Sequence, residues 1–192
     1  MRKKTVSIIG DNHFKGGRDS DQWAVLVKLS RLIIDNGFRV MTGGIGDLPA
    51  AIYEGAKKSP RYTRNEIIAV LPGYDPDVAE SYSDIQIATG LDIYRSLIVS
   101  NADAVVAVGG GAGTLMEIAS AWALKRPIFA LKLEGWSGQL GGKRIDDRER
   151  YRNIPSDSIY SFDDPEALVS ALIGTIQLYQ KRHHGIPDSK QA

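Results

Sequence analysis

The sequence predicts a single α/β domain built on a doubly wound, mainly parallel, Rossmann-like sheet. Three observations predict it. Thr5 to Ile9, Ile67 to Leu71, Ala104 to Val108 and Ile128 to Leu131 are short runs, apolar at nearly every position and rich in β-branched residues, as strands covered on both faces are. Between them lie segments with apolar residues at helical spacing, such as Trp23, Val25, Leu26, Leu29, Leu32 and Ile33. Three glycine-rich or polar loops, Gly10 to Gly17, Thr42 to Gly46 and Gly109 to Thr114, follow strands directly, where open α/β sheets hold their ligands.

The elements follow in order. Thr5 to Ile9 is a strand, Asp21 to Asn36 a helix stopped by Gly37, and Phe38 to Met41 a second strand before the turn Thr42-Gly-Gly-Ile-Gly46. A helix from Leu48 to Lys58 leads to the strand Ile67 to Leu71, which stops at Pro72-Gly73. Tyr74 to Ser83 is too short and proline-broken for a full helix, and Asp84 to Ala88 is a shorter strand. Asp92 to Asn101 reads as a helix, Ala104 to Val108 as a buried strand, Thr114 to Leu124 as a helix, and Ile128 to Leu131 as a strand. Glu134 to Pro155 breaks the rhythm with four glycines and a mixed-charge run, and is expected as a mobile flap or a folded excursion at the surface. Ile159 to Phe162 closes the sheet and Pro165 to Gln180 is the last helix, so the domain spans 1–180 and a frayed tail spans 181–192.

Composition narrows the function classes. A chain of 192 residues has the length of one domain. It contains no cysteine, which excludes disulfides, thiolate metal sites and a cysteine nucleophile. Lys plus Arg (24) nearly balance Asp plus Glu (23), for a formal charge of +1, and no basic stripe with interleaved aromatics is present. That argues against a nucleic-acid partner. The basic start Met1-Arg-Lys-Lys4 is followed by an apolar run broken at Gly10, shorter than a secretory segment of about 7 to 15 residues. No uncharged stretch approaches the ~20 residues of a membrane helix, so no membrane partner is expected and the cytoplasm is the expected compartment.

Gly109-Gly-Gly-Ala-Gly113-Thr114 follows a buried strand and opens a helix. Its backbone N–H groups, free of side chains, suit a phosphate. No Gly-Lys-Ser/Thr follows it, and Gly10-Asp-Asn-His stands where a dinucleotide fingerprint would be, so ordinary P-loop and dehydrogenase readings fail. Thr114 and Glu117 have the spacing of a capping box. Alternatively Glu117 faces the cleft, beside a bound sugar and near the positive helix end that keeps it ionised. Arg95 can bind phosphate through its bidentate fork, or be a solvated helix residue. His13 reads as an exposed loop residue, and Asp11 and Asn12 beside it as too few ligands for a metal, so no metal is expected. Trp122 reads as core, and His183 and His184 in the tail carry no weight.

Thr89-Gly-Leu-Asp-Ile-Tyr-Arg95, Asn101-Ala-Asp103 and the segment Gly109 to Glu117 together resemble the LOG-like superfamily, as do Thr42-Gly-Gly-Ile-Gly46 and Ile67-Ile-Ala-Val-Leu-Pro72-Gly73. That superfamily contains nucleoside 5'-monophosphate phosphoribohydrolases, proteins often labelled as lysine decarboxylases, and molybdenum cofactor carriers. The resemblance covers about residues 5 to 132 and is closer to the carrier branch. It implies a small phosphorylated ligand held by Gly43, Gly44, Gly46, Gly109, Gly110, Gly111, Gly113 and Thr114. It implies no required cofactor, with a molybdenum cofactor or a nucleotide as the bound ligand, and a homodimer or homotetramer. The alternative is N-glycosidic hydrolysis of a nucleoside 5'-monophosphate, releasing base and ribose 5-phosphate, with Glu117 and Arg95 as catalytic residues. Gly109 stands in the place of the hydrolases' proline, and their arginine aligns with Tyr94. On an α-helix, Arg95 would then be turned about 100° away from the site.

Overall fold

Each apolar run divides its side chains between two helical layers by simple alternation, because successive strand residues point to opposite faces. The computed structural model describes residues 2–179. The tail 181–192, with His183 and His184, and the expected helix end at Gln180 lie outside them.

Among the described residues seven strands form one sheet: β1 (Thr5–Gly10), β2 (Arg39–Thr42), β3 (Ile67–Leu71), β4 (Ile85–Ala88), β5 (Ala104–Val108), β6 (Ile128–Leu131) and β7 (Ile159–Phe162). Their order is β4-β3-β2-β1-β5-β6-β7 and every neighbouring pair is parallel. The single doubly wound α/β domain is therefore present, and its parallel character is complete. The winding reverses between β1 and β5, where Ile8 pairs with Val106 and Gly10 with Val108.

Val6 and Ile8 of β1, with Ala104, Val106 and Val108 of β5, pack beneath α1 (Asp21–Asp35), α2 (Asp47–Lys57) and α6 (Pro165–Thr175). Ile9, Val105 and Ala107 face α3 (Ser96–Ser100), α4 (Ala112–Ala123) and α5 (Trp136–Leu140). Gly55 lets α1 and α2 approach closely, since a Cβ there would lie 2.1 Å from the Val27 carbonyl oxygen. The helix α1 is capped by the Ser20 hydroxyl, which accepts from the Trp23 N–H, and ends before Gly37 at φ +80°.

Two segments differ from expectation. The helix expected over Asp92 to Asn101 divides into a 3-10 turn, Asp92–Arg95, and the short α3. The entry is pinned by Gly90 N–H to the Gly73 carbonyl (2.9 Å) and Asp92 N–H to that of Pro72 (3.0 Å), with Asp92 at φ +49°. A tighter turn winds the chain differently from an α-helix, which decides where Arg95 points.

Glu134 to Pro155 carries α5 and then folds back onto the domain. Its charged run is not wholly solvated. Arg150 is buried, its guanidinium 3.5 Å from the Trp122 ring centroid and paired twice with buried Asp157 (2.8 and 2.6 Å). Tyr179 donates to the same Asp157 (2.7 Å), and Tyr151 packs edge-on against Tyr179. Trp122 is core, as expected, and its indole N–H donates to Asp146 (3.2 Å).

Candidate functional site: a cleft at the switch point of the sheet

The carboxyl ends of β1, β2, β3 and β5 surround a cleft of about 500 Å³. A crevice is expected there because the loops of β1 and β5 leave in opposite directions where the winding reverses. Asp11 and Asn12 line it from β1, Gly43 from β2, Asp92, Arg95 and Ser96 from the turn into α3, and Gly111, Gly113, Thr114 and Glu117 from the start of α4. Ile45, Leu48, Pro49 and Ile93 supply apolar wall.

The glycine loop divides its donors. Gly109 (φ +68°) gives its N–H to the Ser137 hydroxyl (2.7 Å), which itself donates to the Leu131 carbonyl (2.7 Å). Gly110 (φ +98°) gives its N–H to Asp11 Oδ2 (3.1 Å). Their carbonyls accept from Ser137 N–H (3.0 Å) and Trp136 N–H (2.9 Å). These two donors, expected at a phosphate, instead lock the corner to β1 and α5. The N–H groups of Gly111, Ala112, Gly113 and Thr114 remain, because the first turn of a helix has no intrahelical acceptors for them. The first closing bond runs from Leu115 N–H to the Gly111 carbonyl (3.0 Å).

The helix begins at Ala112, two residues before Thr114, so the capping box does not form. Thr114 is inside the first turn and Glu117 in the second, buried. The Glu117 carboxylate accepts a hydrogen bond from Ser96 and faces Arg95. Burial pushes its pKa up to about 7, outweighing Arg95 and Ser96, which lower it. Desolvation thus works against the helix end expected to keep it ionised, and is the larger effect.

Arg95 is in the cleft, contrary to its expected rotation, because it ends a 3-10 turn. Its guanidinium lies over Gly43, where a Cβ would come 3.0 Å from Nη2. Burial lowers its pKa, with Glu117 and Asp92 acting to raise it. Its Nε is buried and has no hydrogen-bond partner among the described residues.

Of the residues expected at the site, Gly43, Gly111, Gly113, Thr114, Arg95 and Glu117 line the cleft. Gly44, Gly46, Gly109 and Gly110 do not line it. Gly46, at φ +83°, passes so close to β1's loop that a Cβ would lie 2.1 Å from the Asn12 carbonyl oxygen. His13 is exposed, its Nδ1 3.9 Å from Asp47. Asp11, weighed from sequence only as a weak metal ligand, is instead the acceptor that fixes the glycine loop, and Ser96 and Ser137 were missed. The position of Asp11 at the end of the first strand was the available signal. Among the described residues no group of three or more His, Asp or Glu is placed to hold a metal ion, and no helix is long and apolar enough to cross a membrane.

The strand order, the cleft at its reversal and the glycine loop together define a Rossmann-like protein of the LOG-like superfamily. Residues 3–168 match the SLOG cluster4 family, and the chain belongs to it. A protein of Archaeoglobus fulgidus, itself uncharacterized, is 31% identical over 133 residues, which is 69% of this chain and 82% of that one. The molybdenum cofactor binding protein of Rippkaea orientalis superposes with a TM-score of 0.71 at 26% identity, over 92% of this chain and 99% of that one. The molybdenum cofactor carrier protein of Chlamydomonas reinhardtii gives 0.67 at 25% identity, over 94% and 100%.

Proposed function

We propose that this protein is a carrier that binds a phosphorylated pterin or nucleotide, with the phosphate at the start of α4. The observation that carries the reading is the orphaned Arg95 Nε, in the same cleft as the unsatisfied N–H groups of Gly111 to Thr114. A buried donor without an acceptor is costly in an empty protein and is satisfied by an anion. The cleft volume suits one small ligand. The solved relatives are described as binding or carrying molybdenum cofactor, and the polar groups here fit such a cargo through its phosphate. Mass spectrometry of ligands released from protein purified without added nucleotide tests the proposal. A phosphorylated pterin or nucleotide is the expected species. Failure of every phosphate monoester to bind the purified protein would overturn it.

One observation favours a second reading, the phosphoribohydrolase. Glu117 is a buried carboxyl in the cleft with a pKa raised to about 7, the kind of perturbed group found at reacting centres. Steadying a cationic ribose requires the ionised form, so hydrolysis would rise as pH passes 7 upward. Carrier binding has the opposite dependence, because an incoming phosphate dianion favours neutral Glu117. Base release from purine and pyrimidine 5'-monophosphates across pH 6 to 9 separates the two.

We propose a homodimer or a pair of dimers, acting in the cytoplasm. Its support is the exposure of Leu91, Ile93, Tyr94 and Leu97 beside the cleft, at 47%, 54%, 71% and 54%, an apolar strip that a monomer would leave in water. Light scattering on the parent and Leu97→Lys checks it: a dimer or tetramer that the lysine dissociates is expected, and a monomeric parent would refute it.

A further inference from the structure

The two oxygens of Asp11 have different surroundings. Oδ2 accepts from Gly110 N–H (3.1 Å) and from Gln22 Nε2 (3.4 Å). Oδ1 has no hydrogen-bond partner among the described residues, and Asp11 lines the cleft. The chain is shaped to admit this carboxylate: Gly109, at φ +68°, would carry a Cβ 2.4 Å from Oδ2. The charge around it is also unusual for an anion site. Among the described residues Asp11, Asp92 and Glu117 line the cleft against one cation, Arg95. A carboxylate beside a bound phosphate repels it, and asparagine or serine could satisfy the Gly110 N–H without that penalty.

We infer that Asp11 reads the organic part of the ligand. Its Oδ1 accepts a hydrogen bond from an O–H or N–H that lies next to the phosphate, so the cleft selects phosphate monoesters carrying such a donor over bare anions. The inference rests on the phosphate site proposed above. One side chain thus holds the loop with one oxygen and discriminates with the other. The negative charge acts against ligands that lack the donor, which is how specificity is separated from affinity. A hydrogen bond to a charged group is worth about tenfold or more in binding.

Asp11→Asn separates the two roles. Its amide oxygen can still accept from Gly110 N–H, but an NH2 group then stands where Oδ1 accepted. Calorimetry with methyl phosphate, ribose 5-phosphate and guanosine 5'-monophosphate reads the effect. The parent is expected to prefer the two donor-bearing esters over methyl phosphate. In the variant, methyl phosphate binds as well as before or better, and the preference falls about tenfold or more. Ser137→Ala, which removes the acceptor of the Gly109 N–H, weakens all three probes alike and serves as the control for loop geometry. Equal weakening of all probes by Asp11→Asn would reduce Asp11 to a latch, and an unchanged preference would also overturn the inference. Should the variant fail to fold, a parent that binds methyl phosphate as tightly as ribose 5-phosphate overturns it. A parent that binds none of the probes refutes the phosphate site itself, a distinct outcome.

Discussion

Glu117→Gln tests whether the folded cleft holds this side chain protonated near neutral pH. Burial raises the pKa from 4.5 to about 7. Between those values the folded chain keeps a proton that the unfolded chain has released. Stability of the parent from this group therefore falls as pH rises from about 4.5 to about 7 and is level above. At about 1.4 kcal/mol per pH unit, the window amounts to about 3 kcal/mol. Glutamine has no proton to lose and lacks the slope. Arg95 loses a neighbour in the variant, but it stays charged throughout the window, so its contribution is nearly constant. Urea unfolding of parent and variant at intervals from pH 4 to pH 8 gives the difference, in which the titration of all other groups cancels. The variant is expected to gain about 3 kcal/mol relative to the parent across that range. A flat difference, or one that turns against glutamine as pH rises, would show that the Arg95 ion pair outweighs burial and that the reasoning is wrong.

Three further outcomes are expected. Gly111→Val should fold, since none of the described residues lies within 4 Å of a Cβ there, yet bind phosphate monoesters at least tenfold more weakly by filling the cleft beside α4; melting and calorimetry check the two halves. Gly43→Ala should displace the Arg95 guanidinium, whose Nη2 would be 3.0 Å from the new methyl, and lower anion affinity several-fold with little change in melting. Asp157→Asn leaves the buried Arg150 without its counter-charge and should destabilise by about 3 to 5 kcal/mol in urea titrations, uncoupling the 134–155 segment first in hydrogen exchange.

Ile67 to Leu71, Ala104 to Val108 and Ile128 to Leu131 were legible to the residue, because strands buried on both faces must be apolar throughout. The glycine loop was legible as a corner of the cleft, because its residues follow a buried strand and open a helix. Its donors were not. Whether Gly109 and Gly110 offer their N–H groups to a ligand depends on Ser137 and Asp11, and Asp11 is 99 residues from Gly110. Of the two readings of Thr114 and Glu117 the capping box does not form, for a local reason: Gly111 takes the N-cap position, three residues before Thr114.

Periodicity and glycine placement by themselves determined the fold class, the order of elements and the loops that meet at the sheet's carboxyl edge, while the superfamily came from the resemblance of the motifs in those loops. They act through near neighbours, where the preferences of each residue for strand, helix or turn add along the chain. Only the tertiary structure decided that Arg95 points into the cleft over Gly43, that Glu117 is desolvated enough to titrate near 7, and that Asp11 faces the loop with one oxygen alone. Those outcomes depend on burial and on hydrogen-bond partners brought together from distant strands, and both are properties of the packed chain that no local pattern encodes.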